Sequence, residues 1–421
     1  MAALAAEPLY ELTDTAVLGH LGTATLAGAT IATSILVTAS AVFIFLMFGT
    51  TANVARLRGA GRDDDATIQG IQGMWLGAAV GLVTALVIWP FGTTLISAWG
   101  AHGRSAHVAH TYFSLSLLGF PAFLMVMAGI GYVRGGGDTR TPLIIAIVTV
   151  VLNLVGEVVA IYGLGFGVGA SALTTVVAKW IGALAYFVLI RRDARRRRLS
   201  LRPRRAALRQ LSATGWPIFV RTAALRVTIS FSVAIACSLG SVPVAAYGLA
   251  FGIWSFLAYL VEGLEISGQV LVGRALGAGD EAAARLAGRR ILRMAVMLGL
   301  SVGVLVAATS SVVPHLFSSD PAVLAAGTMS LWWVAAMQPV NAVAFSLDGI
   351  LLGAGDLRFL AWAMVGVAAA VAPIGVAIMW LDGPLWTVWL LMAVFMAGRM
   401  VSLLARFHGR RWVNLGLGAF N

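Results

Sequence analysis

The sequence predicts an all-α integral membrane protein with about twelve transmembrane helices. Sixty per cent of its 421 residues are apolar and only 11% are charged, whereas a soluble domain carries about 25% charged residues. Apolar stretches long enough to cross a bilayer recur along the chain, separated by short breaks rich in Gly, Pro or charged residues. These stretches lie at about 2–22, 27–55, 68–89, 107–133, 142–163, 167–190, 213–239, 243–273, 287–313, 322–353, 358–381 and 384–406.

The placement of the basic residues predicts the orientation of these helices. Of the 29 Lys and Arg residues, 24 fall in the even-numbered loops and the C-terminal tail, and the odd loops contribute only Arg104. The positive-inside bias therefore puts the even loops and both termini in the cytoplasm, in a cell inner membrane. The net charge of +12 is then a topology signal. We expect the basic run from Arg191 to Arg209 to be a solvated linker that faces lipid headgroups, not a nucleic-acid site.

The chain also repeats itself at one constant offset, which predicts two related halves. Six spans separate equivalent points, so the halves enter the membrane in the same direction, as two six-helix bundles about a pseudo-twofold axis along the membrane normal, with a central cleft. We predict an N-terminal lobe over 1–190, a basic linker over 191–211, a C-terminal lobe over 212–408 and a tail over 409–421. The positions that define this repeat offset are Gly22 and Gly240, 59–61 and 277–279, Pro121 and Pro339, and 135–138 and 353–356.

The repeat offset also predicts a short first helix. The second half begins its first helix near Trp216 and Pro217, whose counterparts would precede Met1. We expect either an upstream start or a truncated first helix. No cleavable signal peptide is expected, because Glu7 interrupts the first apolar run.

Ionisable residues inside predicted spans are functional candidates, because a charged side chain at a helix centre costs on the order of 2.5–3.5 kcal/mol. In the first helix Glu7, Glu11 and Asp14 share one face with Tyr10, so this face must look into the bundle or a water-filled cleft.

The fifth predicted helix carries Asn153 and Glu157, one turn apart, and the sixth carries Thr174, Thr175 and Lys179. Desolvation and mutual repulsion disfavour the charged form of such carboxylates, as a proton carrier requires. A fixed structural ion pair between Glu157 and Lys179 is the alternative interpretation.

The repeat separates these interpretations, because the polar cluster has no counterpart in the second half. A cluster that only held a bundle together would be needed in both halves. We therefore interpret it as a coupling-ion site. At the repeat offset Asp14 corresponds to Ser232, Asn153 to Val371, Glu157 to Gly375 and Thr175 to Ala393.

The second half holds a different polar set. Cations and carboxylates on adjacent helices can neutralise one another, so we favour a structural ion-pair network, with a cavity that contacts substrate as the alternative. The set comprises Arg221, Arg226, Glu262, Glu265, Gln269 and Asp348.

Other chemistries find little support in the sequence. The single cysteine, Cys237, excludes an internal disulfide, and no His/Cys cluster has metal-ligand spacing. The glycine run at 163–169 follows no strand, so it does not predict a nucleotide site. We expect no enzyme activity, no cofactor and no nucleic-acid partner, and a monomer in the lipid bilayer.

Several motifs resemble those of one family. The segment 8–22 is similar to the first-helix signature of MATE (multidrug and toxic compound extrusion) transporters, 134–142 to their loop between helices four and five, and 153–157 to their Asn-x-x-x-Asp, with Glu in place of Asp. In the second half, 220–222, Glu262-Gly263, 273–280 and 348–353 resemble the DinF-like branch.

This resemblance implies a V-shaped antiporter that exports amphipathic, often cationic compounds in exchange for H⁺ or Na⁺ by alternating access. The family's ion-binding residues fall on Asp14, Asn153, Glu157 and Thr175, with Tyr10 nearby. Na⁺, if it is the coupling ion, would bind at Asp14 and Glu157. The alternatives are a lipid-linked precursor flippase of the same wider superfamily and an inactive truncated homologue.

Overall fold

The computed structural model describes residues 23–413, apart from the side chains of Ala206 and Gln210. This part of the chain is built from helices, some of which continue through short 3₁₀ segments at Val42–Ile44, Trp89–Phe91 and Leu117–Gly119. The α-helices are α1 (Thr23–Ala41), α2 (Phe45–Gly59), α3 (Asp63–Ile88), α4 (Gly92–Ala98), α5 (Gly103–Ser116), α6 (Phe120–Gly135), α7 (Arg140–Val158), α8 (Val168–Arg196), α9 (Arg205–Ser238), α10 (Ser241–Gly277), α11 (Glu281–Thr309), α12 (Pro321–Gly353), α13 (Leu357–Trp380) and α14 (Leu385–His408).

Eleven stretches among the described residues are long and apolar enough to cross a membrane, which confirms the spans predicted from 27 onward. Several are longer than predicted. The span predicted over 243–273 is the 37-residue helix α10, although about 20 residues suffice to cross the hydrocarbon. The predicted first span, with Glu7, Tyr10, Glu11 and Asp14, lies outside the described residues.

Contacts within the chain define two compact units, with the boundary between Gly215 and Trp216. In the second unit, α12 is the central helix and packs on α10, α11 and α14. In its most apolar stretch, 72% of the residues are buried, against 28% for α13, so α12 faces protein while α13 faces outward. In the first unit, α6 packs against α2 and α3.

The helix boundaries repeat at the offset found in the sequence. Thr23 and Ser241, Asp63 and Glu281, and Gly103 and Pro321 begin equivalent helices, and each pair is separated by the same offset as Gly22 and Gly240. The membrane spans that begin at Thr23 and Ser241 are both 37 residues long, and those that begin at Gly103 and Pro321 are both 33 residues long. The two units are therefore built on the same succession of helices.

The contacts between helices repeat as well. A Cβ built on Gly81 would lie 2.5 Å from Pro121 Cα, and one built on Gly299 would lie 2.6 Å from Pro339 Cα. Both the glycines and the prolines are related by the repeat offset. Since a Cβ does not fit at either place, glycine permits the same close approach of α3 to α6 and of α11 to α12.

One turn geometry ends seven of the helices. In five of them the turn residue is glycine with φ between +71° and +86°, and the next N–H returns to a carbonyl of the last helical turn, as in a Schellman motif. The other two turns hold a residue with a Cβ: Arg198 at φ +56° after α8, where Leu199 N donates to Ala194 O at 2.8 Å, and Asp382 at φ +47° after α13, where Gly383 N donates to Ile378 O at 3.0 Å. The five glycines are Gly61, Gly100, Gly137, Gly279 and Gly355.

We expect Arg198→Gly to stabilise the protein. The left-handed conformation strains any residue with a Cβ, and glycine removes this strain. The free energy gained in this way exceeds the entropic cost of fixing a glycine backbone by about 0.5 to 1 kcal/mol. The melting temperature of the purified protein in detergent measures this change in stability. As the matched control, Gly279→Ala places a methyl group in open space at φ +77°, so it should lower stability through backbone strain alone. A lower melting temperature for Arg198→Gly contradicts the prediction.

Candidate functional site

The predicted first-lobe cluster is assembled by α7 and α8. Asn153, Glu157 and Thr175 are all buried, with exposed fractions of 3%, 1% and 6%. Asn153 Nδ2 donates to Thr175 Oγ1 at 3.1 Å across the two helices. The other amide atom, Asn153 Oδ1, has no hydrogen-bond partner among the described residues. Two neighbouring helices thus gather a carboxyl, an amide and a hydroxyl inside the apolar unit.

Small residues bring these two helices together. A Cβ on Gly156, next to Glu157 in the chain, would lie 3.3 Å from Thr174 Cγ2, and one on Gly182 would lie 3.3 Å from Thr149 Cγ2. The α-helix also ends just after Glu157 and continues as a π-helix over Val159–Gly163. Single π-turns are frequent at functional sites.

Two further predicted residues lie beside this cluster. Thr174 Oγ1 donates to Ser171 O at 2.8 Å, so its hydroxyl is used within its own helix. Lys179 lies one turn beyond Thr175, with Nζ 5.5 Å from the centre of the Phe123 ring. Its pairing with Glu157 stays the alternative interpretation.

The corresponding positions of the second unit cannot form such a site. Val371 belongs to the hydrophobic core, and a Cβ on Gly375 would collide with the Phe231 ring. Ser232, the counterpart of Asp14, is fully buried and lies 2.7 Å from Tyr247 Oη. Apolar packing and a hydroxyl pair replace the acids.

The second unit contains a separate buried ion-pair network centred on Asp348 of α12. Arg221 of α9 binds its carboxylate through two nitrogens, at 3.3 Å from Oδ1 and 2.6 Å from Oδ2. Arg221 also lies 3.7 Å from Glu265 Oε1 of α10. Each of these three side chains is less than 5% exposed.

A second arginine, which the sequence analysis did not select, completes the network. Arg399 of α14 is 1% exposed and donates to Asp348 Oδ2. Its guanidinium carbon lies 4.9 Å from the centre of the Phe345 ring, and Nη1 lies 3.2 Å from Met396 Sδ. Two cations and two carboxylates on four helices thus neutralise each other. The signal for Arg399 was present in the sequence, since it is an arginine within an otherwise apolar span.

Glycine again explains why these helices meet. Cβ atoms on Gly349 and Gly353 of α12 would collide with the backbone carbonyls of Glu265 and Gln269 of α10. The absence of side chains at both glycines therefore brings Asp348 beside Glu265.

The remaining predicted residues of this set are placed differently. Arg226 is exposed and forms no ion pair with the described residues, because five residues turn it about 140° around the helix from Arg221. Glu262 is half-buried, one turn before Glu265, and Gln269 is fully buried, one turn after it. The network therefore contains Arg399 where the sequence suggested Arg226.

Polar groups buried inside apolar helical units that repeat along the chain are typical of membrane transporters. The comparison with known families specifies the class. The MatE family model matches residues 1–159 and 217–380, and the chain belongs to this family. The family and the fold are those of transporters.

Curated relatives agree with this assignment. Protein DETOXIFICATION 43 of Arabidopsis thaliana is 30% identical over 79% of this chain, and the chain spans 63% of that relative's length. DNA damage-inducible protein F of Escherichia coli (strain K12) is 26% identical over 97% of this chain and 89% of its own length. The probable multidrug resistance protein NorM of Thermotoga maritima is 23% identical over 83% of this chain and 76% of its own.

Solved structures share the fold. The eukaryotic MATE transporter AtDTX14 superposes with a TM-score of 0.86 at 16% identity, covering 100% of this chain and 95% of that one. A crystal structure of MATE in the bent conformation gives 0.85 at 21% identity, covering 97% and 91%. At this identity the likeness establishes the fold alone.

We expect Asp348→Asn to destabilise the protein by about 3–5 kcal/mol, because it leaves two buried guanidiniums with too little negative charge. Unfolding in detergent measures the change. The matched control Arg226→Gln alters an exposed arginine of α9 and should change stability by no more than about 0.5 kcal/mol. Equal effects of the two substitutions contradict the role assigned to the network.

Proposed function

We propose that the protein is a secondary active antiporter that exports amphipathic, often cationic compounds in exchange for protons. The observation that carries this proposal is the buried group of Glu157, Asn153 and Thr175 on two adjacent apolar spans. An ionisable side chain buried within membrane-spanning helices is a functional candidate.

In this proposal Asp14 and Tyr10 complete the site from the first helix. A proton entering from outside binds a carboxylate of Asp14 or Glu157 and removes its charge. The cationic compound then loses the carboxylate that attracted it and leaves outward. Returning the proton to the cytoplasm restores the charge, so proton entry is exchanged for export of the compound.

Asn153 and Thr175 act as positioning residues for Glu157. The Asn153 amide is held by its hydrogen bond to Thr175 Oγ1, so its carbonyl oxygen keeps a fixed orientation. A fixed acceptor stabilises a protonated carboxyl that donates to it, and neutral dipoles do this without adding charge. The π-helix after Glu157 supplies a segment that can change its hydrogen-bonding register as the site changes charge.

The network around Asp348 has a different role in this mechanism. Its charges are compensated by fixed partners on four helices, so it holds the second unit together as a rigid body. Rocking of two such bodies exposes the site alternately to the two sides of the membrane.

We propose that this activity takes place in a cell inner membrane. The arginine distribution supports an inner membrane with both termini in the cytoplasm, and the protein acts as a monomer. Relatives of the chain are named as detoxification and multidrug resistance proteins, which supports export of toxic compounds over flipping of lipid-linked precursors.

Asp14→Asn and Glu157→Gln each remove a titratable charge with little change of shape. We expect each to lower substrate efflux driven by a proton gradient in proteoliposomes by about tenfold or more, with unchanged yield. The control Glu281→Gln neutralises an exposed carboxylate that pairs with Arg285 and should leave efflux at the parent rate. Efflux at the parent rate in both site variants would sink the coupling assignment.

The coupling ion is tested by imposing proton and sodium gradients separately. We expect efflux with the proton gradient alone and none with the sodium gradient alone, because two carboxyls can carry protons whereas Na⁺ needs several preorganised oxygens. Transport under the sodium gradient with the proton gradient collapsed would assign Na⁺ to Asp14 and Glu157 instead.

A further inference from the structure

The basic run between α8 and α9 lies at the end of a membrane span. The span Val168–Arg196 ends inside the run, so the arginines emerge where the helix leaves the apolar layer. Beside them, Trp75 of α3 is 46% exposed and donates Nε1 to Leu201 O at 2.9 Å. Tryptophan favours the interface between lipid and water, which places this loop at headgroup level.

The loop is held in one conformation by the first unit. The buried side chain of Gln72 donates to Arg202 O at 3.1 Å and accepts from Arg204 N at 2.8 Å. At the other end, the Arg197 guanidinium binds Asp64 at 2.9 Å and Asp63 at 3.1 Å. A ligand of this loop therefore finds it already ordered and loses less binding energy to ordering.

The described carboxylates beside this run already have partners. Asp63 and Asp64 are taken by Arg197, and Asp193 accepts from Tyr132 Oη at 2.8 Å. Nine of the ten arginines are exposed, and none of the nine forms a salt bridge within the part of the chain that the structure describes. They are Arg191, Arg192, Arg195, Arg196, Arg198, Arg202, Arg204, Arg205 and Arg209.

The strained turn adds an independent observation. Arg198 takes the left-handed conformation that glycine takes in five of the six other turns of this kind; the sixth has Asp382, and aspartate tolerates this conformation because its short polar side chain can hydrogen-bond locally. Strain that persists where a relaxed residue would fit points to a functional use of the side chain. Here the side chain adds an exposed guanidinium to the surface.

We propose that these nine arginines form a preordered binding surface for anionic phospholipid headgroups. Guanidinium groups bind phosphate oxygens through two parallel hydrogen bonds, which an ammonium group cannot do. The location at the membrane interface selects a lipid phosphodiester over a soluble anion, because the lipid is already concentrated there.

The test uses the full chain in detergent, equilibrated with equal amounts of phosphatidylglycerol and phosphatidylcholine, with retained lipids counted by native mass spectrometry. We expect the parent to retain phosphatidylglycerol several-fold over phosphatidylcholine. The triple variant Arg195→Gln, Arg196→Gln, Arg198→Gln should lose most of this preference. The matched control Arg289→Gln, Arg290→Gln, Arg293→Gln removes the same charge from exposed positions of α11 and should keep it.

A triple replacement of Arg195, Arg196 and Arg198 by Lys keeps the positive charge and therefore the orientation of the protein in the membrane. Its preference for phosphatidylglycerol should lie between that of the parent and that of the Gln triple. Equal losses of lipid preference in the linker and control triples would show general charge attraction and overturn the proposal. A parent protein that retains both lipids equally would also overturn it. Release of phosphatidylglycerol by equimolar single-stranded RNA at physiological salt would overturn it as well, because the surface would then be a nucleic-acid site.

Discussion

A charge buried among lipid-embedded helices must be neutralised or hydrogen-bonded by the protein wherever water does not reach it. In the second unit this constraint is met at Asp348, where side chains from α9, α10 and α14 converge on α12. The position of each of these helices is then tied to the others. Any arrangement that separates Arg221 or Arg399 from Asp348 leaves a buried charge uncompensated.

The two units have the same helix packing but different buried polar side chains. Gly131 approaches the carbonyl of Met47 in the first unit, as Gly349 approaches that of Glu265 in the second. These positions are again related by the repeat offset, so the same backbone contact carries a thioether in one unit and a carboxylate in the other. The repeated glycines preserve the helix packing, and the side chains around them are free to differ.

Much of the fold could be predicted from the sequence, because the forces that specify it are local. The lengths of the apolar stretches predicted the eleven spans among the described residues, and the repeated glycine turns predicted the two related halves. The meeting of Asn153 with Thr175 followed from the polarity of two adjacent spans. Which of Arg221 and Arg226 pairs with Asp348 did not follow, because the sequence does not show which face of α9 packs against α12.

The order of the basic linker was also beyond sequence reasoning. A run of ten arginines in nineteen residues has the composition of a solvated segment. Its conformation is fixed by side chains more than a hundred residues away, chiefly Gln72 and Trp75. Contacts between a polar side chain and a distant backbone leave no periodic pattern, so they are visible only in the folded chain.

The contrast between the two buried clusters bears on which unit can couple transport to an ion. Protonating Asp348 would leave Arg221 and Arg399 facing Glu265 alone, so the network resists any change of its charge. Around Glu157, by contrast, Asn153 and Thr175 supply neutral dipoles that can face a carboxylate or a carboxylic acid without reversing sign. A group that must gain and lose charge in each cycle is better served by such neighbours. In the proposed mechanism the first unit therefore carries the ion, and the second provides the fixed frame.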